Sequence, residues 1–197
     1  MAEYIKNRKQ AIIILHEIYG INDFIKDQCK QYDEAGFDVF CPNMFNNITF
    51  PYEKSSEAYD YFMREVGFER YVEINTMINQ LKNKYEKVFM IGFSAGATIA
   101  WRCCENALCD GIISCYGSRI RDYIYINPVC PTFLIFAEYD SFDVNKVAAQ
   151  LENKPNLEIV KLPAKHGFMD LYCLNYQNQQ AANAANHIVN FLLKHAK

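Results

Sequence analysis

Residues 92–96 read Gly-Phe-Ser-Ala-Gly, a G-x-S-x-G pattern. An apolar run at residues 88–91 precedes it, and a helix-like run at residues 97–101 follows it. A strand that enters a sharp turn and continues as a helix would expose the Ser94 hydroxyl at the apex of the turn, where it could act as a nucleophile. The flanking glycines fit such a turn, because a β-carbon at either position would clash with the nearby backbone. The alternative is a tight strand-to-helix turn that contains an ordinary serine.

The composition narrows the class of protein. A length of 197 residues predicts a single domain over residues 1–197, and a hydrophobic content of 51% supplies a large core. The net charge is −3, without the clustered basic face of a nucleic-acid-binding protein. No apolar stretch approaches the roughly 20 residues of a membrane span. Residues 1–10 lack the apolar segment and cleavage site of a signal peptide, which predicts a cytoplasmic location.

The chain contains eight cysteines but no C-x-x-C pair. Disulfides would be expected only in a secreted protein, so we expect reduced thiols. Zinc binding is a weak alternative with this spacing. We therefore predict neither a metal site nor an organic cofactor.

Six short apolar runs predict strands, and helical patterns fill the segments between them. The predicted strands are residues 11–15, 37–41, 87–91, 111–115, 132–136 and 157–161. The predicted helices are residues 23–34, 55–84 with a break near Gly67, 95–105, 143–151 and 175–194. This alternation predicts an α/β fold with a mostly parallel sheet of about six strands flanked by helices. In such a sheet, the ligand site lies beyond the carboxyl ends of the strands.

A serine hydroxyl needs a neighbouring base, and the base needs an acid that orients it. In the α/β-hydrolase order the acid and then the histidine follow the nucleophile. Three histidines follow Ser94, but His187 and His195 lie in the terminal helical pattern. His166 lies in a loop after the sixth predicted strand, where catalytic groups collect, so we predict that it is the base. The alternative is an ordinary loop histidine.

The acid is expected after the fifth predicted strand, where Glu138, Asp140 and Asp143 are candidates. Asp143 is placed to cap the following helix, whereas Asp140 lies in the turn itself. We therefore predict Asp140 as the acid. Two backbone N–H groups should then stabilise the oxyanion, one from Ala95 and one from the loop at residues 16–22.

The loop Leu15-His-Glu-Ile-Tyr-Gly-Ile-Asn22 resembles the first motif of the dienelactone hydrolase family. Further segments that resemble the family, together covering nearly the whole chain, are residues 92–96, 115–117, 137–140, 165–168 and 184–191. The resemblance implies an α/β-hydrolase without a cap domain that acts on small esters or lactones. It also implies the site roles. Ser94 would be the nucleophile, Asp140 the acid and His166 the base, and the backbone N–H groups of Ile18 and Ala95 would be the oxyanion donors.

The chain departs from the family pattern at the nucleophile, because the name-giving enzymes have cysteine where this chain has Ser94. In those enzymes, a glutamate at the position of Glu17 helps to form the thiolate. Several roles remain open for Glu17 beside a serine: a vestige, a hydrogen-bonding partner, a contact with substrate, or a group that satisfies local backbone. Burial near the site would raise its pKa.

The arginines that hold the substrate carboxylate in the dienelactone enzymes are missing at the matching positions. Asp170 stands four residues after the predicted base, and only Lys54 lies near the second position. Because an aspartate would repel an anion, we expect no preference for carboxylated lactones. We also expect no N-terminal β-hairpin, since the chain begins close to the first predicted strand.

Glu17 and four aromatic residues are predicted to contact the substrate, although such aromatics at strand ends are often plain core. The aromatic residues are Tyr19, Phe93, Tyr116 and Phe168. The predicted function is a serine hydrolase for a small-molecule ester or lactone. The alternatives are a thioesterase, amidase or acyltransferase with the same triad, or a non-catalytic binding protein on this scaffold. The sequence sets neither the substrate nor the oligomeric state.

Overall fold

The computed structural model describes residues 2–196 and has a seven-stranded sheet as its middle layer. The strands are β1 (Ala2–Tyr4), β2 (Gln10–Leu15), β3 (Asp38–Cys41), β4 (Lys87–Phe93), β5 (Gly111–Cys115), β6 (Thr132–Tyr139) and β7 (Leu157–Lys165). They lie in the order β1-β3-β2-β4-β5-β6-β7. Strands β2 to β7 are all parallel, and β1 is antiparallel to β3. The predicted α/β fold with six parallel strands is therefore confirmed.

Helices cover both faces of the sheet. They are α1 (Asp23–Glu34), α2 (Ser55–Tyr61), α3 (Tyr71–Lys82), α4 (Ala95–Arg102), α5 (Val144–Leu151) and α6 (Asn178–His195). Short 3₁₀ or π turns occupy Tyr52–Lys54, Phe62–Val66, Phe68–Arg70 and Ser118–Asp122. Within residues 2–196, no helix combines the length and the apolar content needed to cross a membrane.

The core consists of two apolar layers, one on each side of the sheet. Successive side chains of a strand point to opposite faces, so Ile12 and Ile14 pack in one layer, and Ile13 and Leu15 pack in the other. The first layer includes residues of α1 and α6, and the second includes residues of α3, α4 and α5. Both faces of β2 are buried, which explains its continuous apolar run.

The structure adds the short edge strand β1, which is not among the strands that the sequence pattern predicts. Strand β1 pairs with β3 rather than β2, so the two N-terminal strands do not form a hairpin. The buried carboxylate of Asp38 anchors the segment after β1. It accepts hydrogen bonds from the backbone N–H of Lys6 at 2.9 Å and of Arg8 at 3.2 Å, and from the Tyr85 hydroxyl at 2.9 Å.

Two strands are longer than their apolar runs predict. Strand β6 continues to Tyr139, and β7 continues through Pro163 to Lys165. A proline is tolerated in β7 because this strand lies at the edge of the sheet, where one side of its backbone has no partner strand. The extensions carry Asp140 and His166 to the carboxyl edge, directly after β6 and β7.

The predicted long helix over residues 55–84 divides near Gly67, as expected. Gly67 has a φ of +63° and separates the π turn from the next 3₁₀ turn. This left-handed conformation favours glycine and ends the first helical segment. Asp143 caps α5 as predicted, since its carboxylate accepts the Lys146 backbone N–H at 2.9 Å.

Replacing Asp38 by alanine is expected to lower the free energy of unfolding by about 3 kcal/mol, because the backbone N–H groups of Lys6 and Arg8 lose their acceptor. Urea unfolding monitored by circular dichroism measures this change. Asp60→Ala, at an exposed site on α2, is the control and is expected to change stability by no more than about 0.5 kcal/mol. Equal unfolding midpoints for the two variants would contradict the anchoring role of Asp38.

Candidate active site

The turn between β4 and α4 holds Ser94 in a strained backbone conformation, with φ 51° and ψ −111°. Two close backbone contacts enforce this turn. A β-carbon on Gly92 would lie 2.3 Å from the carbonyl oxygen of Gly96, and one on Gly96 would lie 2.4 Å from the carbonyl oxygen of Leu15. The predicted requirement for glycine at both positions is therefore confirmed, and Ser94 is presented at the carboxyl edge of the sheet.

A hydrogen-bonded chain joins the three residues predicted as nucleophile, base and acid. Ser94 Oγ lies 2.8 Å from His166 Nε2, and His166 Nδ1 lies 2.7 Å from Asp140 Oδ2. The other Asp140 oxygen accepts the backbone N–H of Ser141 at 2.6 Å and its hydroxyl at 3.1 Å. The carboxylate is thus fixed on one side and faces the imidazole with the other.

The charges around the Ser94–His166–Asp140 hydrogen bonds favour protonation of the His166 imidazole. Burial alone would lower the pKa of His166, but the hydrogen bond and negative charge of Asp140 outweigh it and raise that pKa above its ordinary value. Burial alone would raise the pKa of Asp140, but the contacts with His166 and Ser141 lower it. The pair therefore stabilises an imidazolium beside a carboxylate.

A pocket of about 340 Å³ opens at Ser94. Its walls consist of Ile18, Tyr59, Phe68, Ser94, Ala95, Thr98, Ser118, Arg119, Tyr139, Asp140, Ser141, Lys165, His166 and Asn175. The two predicted oxyanion donors, Ile18 and Ala95, are both in this set. Ala95 is the first residue of α4, where backbone N–H groups have no partner within the helix. Among residues 2–196, the Ile18 N–H finds no hydrogen-bond acceptor.

The five residues predicted to contact substrate do not line this pocket. The prediction is wrong for Phe93, Tyr116 and Phe168, which are fully buried in the apolar layer that also contains α1 and α6. Glu17 is only 4% exposed, and Tyr19 packs against Tyr52 with ring centroids 4.6 Å apart. Aromatic residues at the strand ends serve the core here, which is the alternative that the sequence left open.

Several pocket residues were missed by the sequence analysis, most clearly Ser118 and Arg119. They follow β5 at the carboxyl edge of the sheet. The rule that located His166 after β7 would also have located them after β5. Neither residue belongs to a motif with a known chemical role, so nothing in the sequence was a reason to select them among the residues of this edge.

A family model described as the dienelactone hydrolase family matches residues 1–196. The chain belongs to the dienelactone hydrolase family. It is 37% identical over 166 residues to the uncharacterized protein YczH of Bacillus subtilis (strain 168), covering 81% of each chain. It is 22% identical over 191 residues to carboxymethylenebutenolidase 1 of Cupriavidus pinatubonensis, covering 89% of this chain and 81% of that protein.

The fold agrees with this membership. A crystal structure of a Klebsiella pneumoniae protein assigned as a dienelactone hydrolase superposes with a TM-score of 0.78 at 16% identity, covering 94% of this chain and 87% of that chain. This dienelactone hydrolase family protein is accordingly a hydrolase of the ester or lactone type.

Glu17 and Asp170 form a pair of buried acidic groups near the pocket. Burial raises the pKa of Glu17 to about 7, and the negative charge of Asp170 adds to the rise, against the opposing effects of His166 and the Tyr116 hydroxyl. The raised pKa of Glu17 agrees with the expectation from sequence. Glu17 is therefore buried beside the site and does not form part of the pocket wall.

Asp170 does not line the pocket either. It is fully buried, and its Oδ2 accepts a hydrogen bond from the Tyr52 hydroxyl at 2.5 Å. The pocket wall instead carries two cationic residues, Lys165 and Arg119, and Arg119 Nε lies 3.1 Å from the Asp122 carboxylate. Asp170 is therefore not placed for direct contact with a substrate carboxylate in this pocket, and the expectation that carboxylated lactones are not preferred stays a prediction.

Gly92→Ala is expected to cost about 2–3 kcal/mol of unfolding free energy, because the added methyl group overlaps the Gly96 carbonyl. Gly36→Ala is the matched control. At Gly36, φ is +100° and no atom lies within 4 Å of an added β-carbon, so that substitution measures conformational strain alone, about 1 kcal/mol. Thermal and urea unfolding compare the two variants. A smaller loss for Gly92→Ala than for Gly36→Ala would contradict the close-contact explanation.

Proposed function

We propose that this protein hydrolyses small carboxylic esters or lactones through a Ser94–His166–Asp140 triad and an acyl-enzyme intermediate. One observation carries the proposal: the unbroken hydrogen-bond chain, with distances of 2.8 Å and 2.7 Å, that begins at a serine in a strained turn. A merely structural serine has no need of this strain. Backbone strain of this kind persists only where the surrounding structure enforces it, and it is common at active sites.

In the first half of the reaction, Ser94 Oγ attacks the substrate carbonyl while His166 Nε2 accepts the hydroxyl proton. Asp140 holds the Nδ1–H tautomer and stabilises the imidazolium that forms. The carbonyl oxygen becomes an oxyanion between the backbone N–H groups of Ile18 and Ala95. One such donor typically contributes about 3 kcal/mol to the stability of the transition state. His166 then gives its proton to the departing alcohol oxygen.

In the second half, a water molecule takes the place of the alcohol. His166 removes a proton from the water, which attacks the acyl carbonyl, and the bond to Ser94 Oγ breaks as His166 returns the proton to the serine. No cofactor enters this scheme. A hydroxyl nucleophile relies on His166 for its proton transfer, so we assign Glu17 no part in generating the nucleophile.

The pocket supports a small substrate. Its volume of about 340 Å³ lies at the low end of the usual range for ligand sites. The side chains of Ile18, Phe68 and Tyr59 supply apolar surface for an acyl or alcohol group. We also propose a cytoplasmic location, which is supported by eight cysteines that are all free thiols.

Ser94→Ala is expected to abolish hydrolysis of a short p-nitrophenyl ester, with a loss of at least about 10⁴-fold in kcat, while the protein stays folded. The change removes the nucleophile and leaves the pocket otherwise intact. Ser118→Ala alters a second serine on the same pocket wall and is expected to keep the wild-type rate within about threefold.

A fluorophosphonate probe provides an independent readout of the same variants. It is expected to label the wild type and Ser118→Ala but not Ser94→Ala. Labelling of Ser94→Ala, or wild-type turnover by this variant, would refute the nucleophile. A folded wild type that neither reacts with the probe nor cleaves any ester would favour a binding protein on this scaffold.

The pH dependence of kcat/KM is expected to show an acid limb with its midpoint above about 6.5, the ordinary pKa of histidine. His166 accepts a proton only in its neutral form, and Asp140 raises its pKa, so activity falls as the pH drops through that raised value. Asp140→Asn removes the negative charge and is expected to move the midpoint to lower pH and to slow the reaction. A wild-type rate independent of pH between about 5 and 8 would contradict this role for His166.

A further inference from the structure

His16 is buried at the carboxyl end of β2, and the proposed mechanism does not use it. Both nitrogens of its ring contact the backbone. Nδ1 lies 2.7 Å from the carbonyl oxygen of Glu17, and Nε2 lies 3.2 Å from the backbone N of Met44. The ring therefore bridges the loop after β2 and the loop after β3. The ring of Phe45 packs edge-on against it, with centroids 5.0 Å apart.

These two contacts assign the tautomer of the imidazole. A backbone N–H can only donate, so Nε2 must offer its lone pair to Met44. The proton of a neutral ring then resides on Nδ1, which donates to the carbonyl oxygen of Glu17. Burial lowers the pKa of His16 to about 4, so the ring stays neutral near pH 7 and keeps this arrangement.

The orientation of one peptide group follows from the bond to Glu17. A trans peptide is planar, and its C=O and N–H point in opposite directions. The carbonyl of Glu17 and the N–H of Ile18 belong to the same peptide. A carbonyl held by His16 therefore directs the Ile18 N–H to the other side. A weaker second contact, from the Gly20 N–H at 3.3 Å, supports the same orientation of the carbonyl.

That N–H belongs to a residue of the pocket wall. Ile18 lines the pocket together with Ser94 and Ala95, and among residues 2–196 its N–H has no acceptor. A donor that is fixed but unpaired before the reaction fits the oxyanion, since preorganised donors need no reorientation when the negative charge forms.

We propose that His16 is a positioning residue, whose neutral imidazole locks the Glu17–Ile18 peptide so that the Ile18 N–H meets the oxyanion of an ester substrate. This inference rests on the proposed function. It also connects the loop that contains Met44 to catalysis, because this loop supplies the hydrogen bond that selects the tautomer.

The contacts distinguish this role from simple packing. A histidine that only fills space in the core can be replaced by a leucine without consequence for the reaction. A histidine that holds the peptide cannot, because leucine has no donor for the Glu17 carbonyl. Glutamine has an amide nitrogen that can donate to the Glu17 carbonyl and an amide oxygen that can accept from Met44, so it can occupy both contacts, as the neutral ring does.

The test compares His16→Leu with His16→Gln, using p-nitrophenyl acetate as substrate and phenylboronic acid as an inhibitor that forms a tetrahedral adduct on a nucleophilic serine. For His16→Leu, we expect kcat to fall about 100-fold and KM to change by less than about threefold. The inhibition constant for phenylboronic acid should rise as kcat falls, because the tetrahedral adduct loses the same donor. His16→Gln is expected to restore kcat to within about tenfold of the wild type.

Circular dichroism and thermal unfolding establish that each variant is folded. If His16→Leu does not fold, His16→Asn replaces it. The shorter amide reaches one of the two contacts but not both, and is expected to lower kcat at an unchanged KM. A folded Leu or Asn variant with wild-type kcat overturns the proposal, as does a loss of kcat in His16→Leu that glutamine does not relieve.

Ser94→Ala, measured in the same assay, separates the two proposals. If it turns over substrate at the wild-type rate, the proposed function fails and the role of His16 fails with it. If it is inactive while folded His16→Leu keeps the wild-type kcat, only the role of His16 fails.

Discussion

The site depends on one steric constraint, the close approach of three backbone segments around the turn after β4. Gly96 lies against the carbonyl of Leu15, and Gly92 lies against the carbonyl of Gly96, so neither position has room for a β-carbon. This contact seats the first turn of α4 directly on the ends of β2 and β4. It forces Ser94 into a positive φ. The backbone N–H of Ser94 then donates to the carbonyl of Cys115, with a nitrogen-to-oxygen distance of 3.0 Å.

The same contact explains why the remaining groups converge on Ser94. The loop that leaves β2 at Leu15 has to pass the nucleophile, which makes Ile18 a neighbour of Ala95 on the pocket wall. Parallel strands end at a common edge, so the residues after β6 and β7 arrive there as well. Asp140 and His166 thus reach Ser94 from positions far away in the sequence, without any local motif that joins them.

The acidic pair Glu17 and Asp170 lies buried nearby, where burial and mutual repulsion favour keeping a proton on Glu17.

The sequence was sufficient for features set by local patterns. Apolar runs located the six parallel strands, and the G-x-S-x-G turn with the order of the later residues located the hydrogen-bonded chain of Ser94, Asp140 and His166. Features that depend on contacts between residues far apart in the chain could not be predicted from the sequence. Strand β1 has only three residues. The segment that follows it is held by Asp38, which lies 32 residues from Lys6 in sequence. No local sequence pattern indicates a hydrogen bond over this separation.

The pocket wall was predicted poorly for a related reason. Aromatic residues at strand ends look alike in sequence whether they face the pocket or the core, and burial alone decides between them. Phe168 lies in the core although it is two residues from His166, whereas Arg119 faces the pocket. The departure of Asp170 from the family pattern also could not be interpreted without its partner, the Tyr52 hydroxyl.

The proposed mechanism requires that Ser94 becomes acylated during turnover. Mass spectrometry of the protein quenched in acid within the first turnovers of a p-nitrophenyl ester tests it most directly. We expect one acyl group per chain, located on the peptide that contains Ser94, and no adduct in Ser94→Ala. Ester hydrolysis that proceeds with the acyl group on another residue, such as the partly exposed thiol of Cys173, would contradict it.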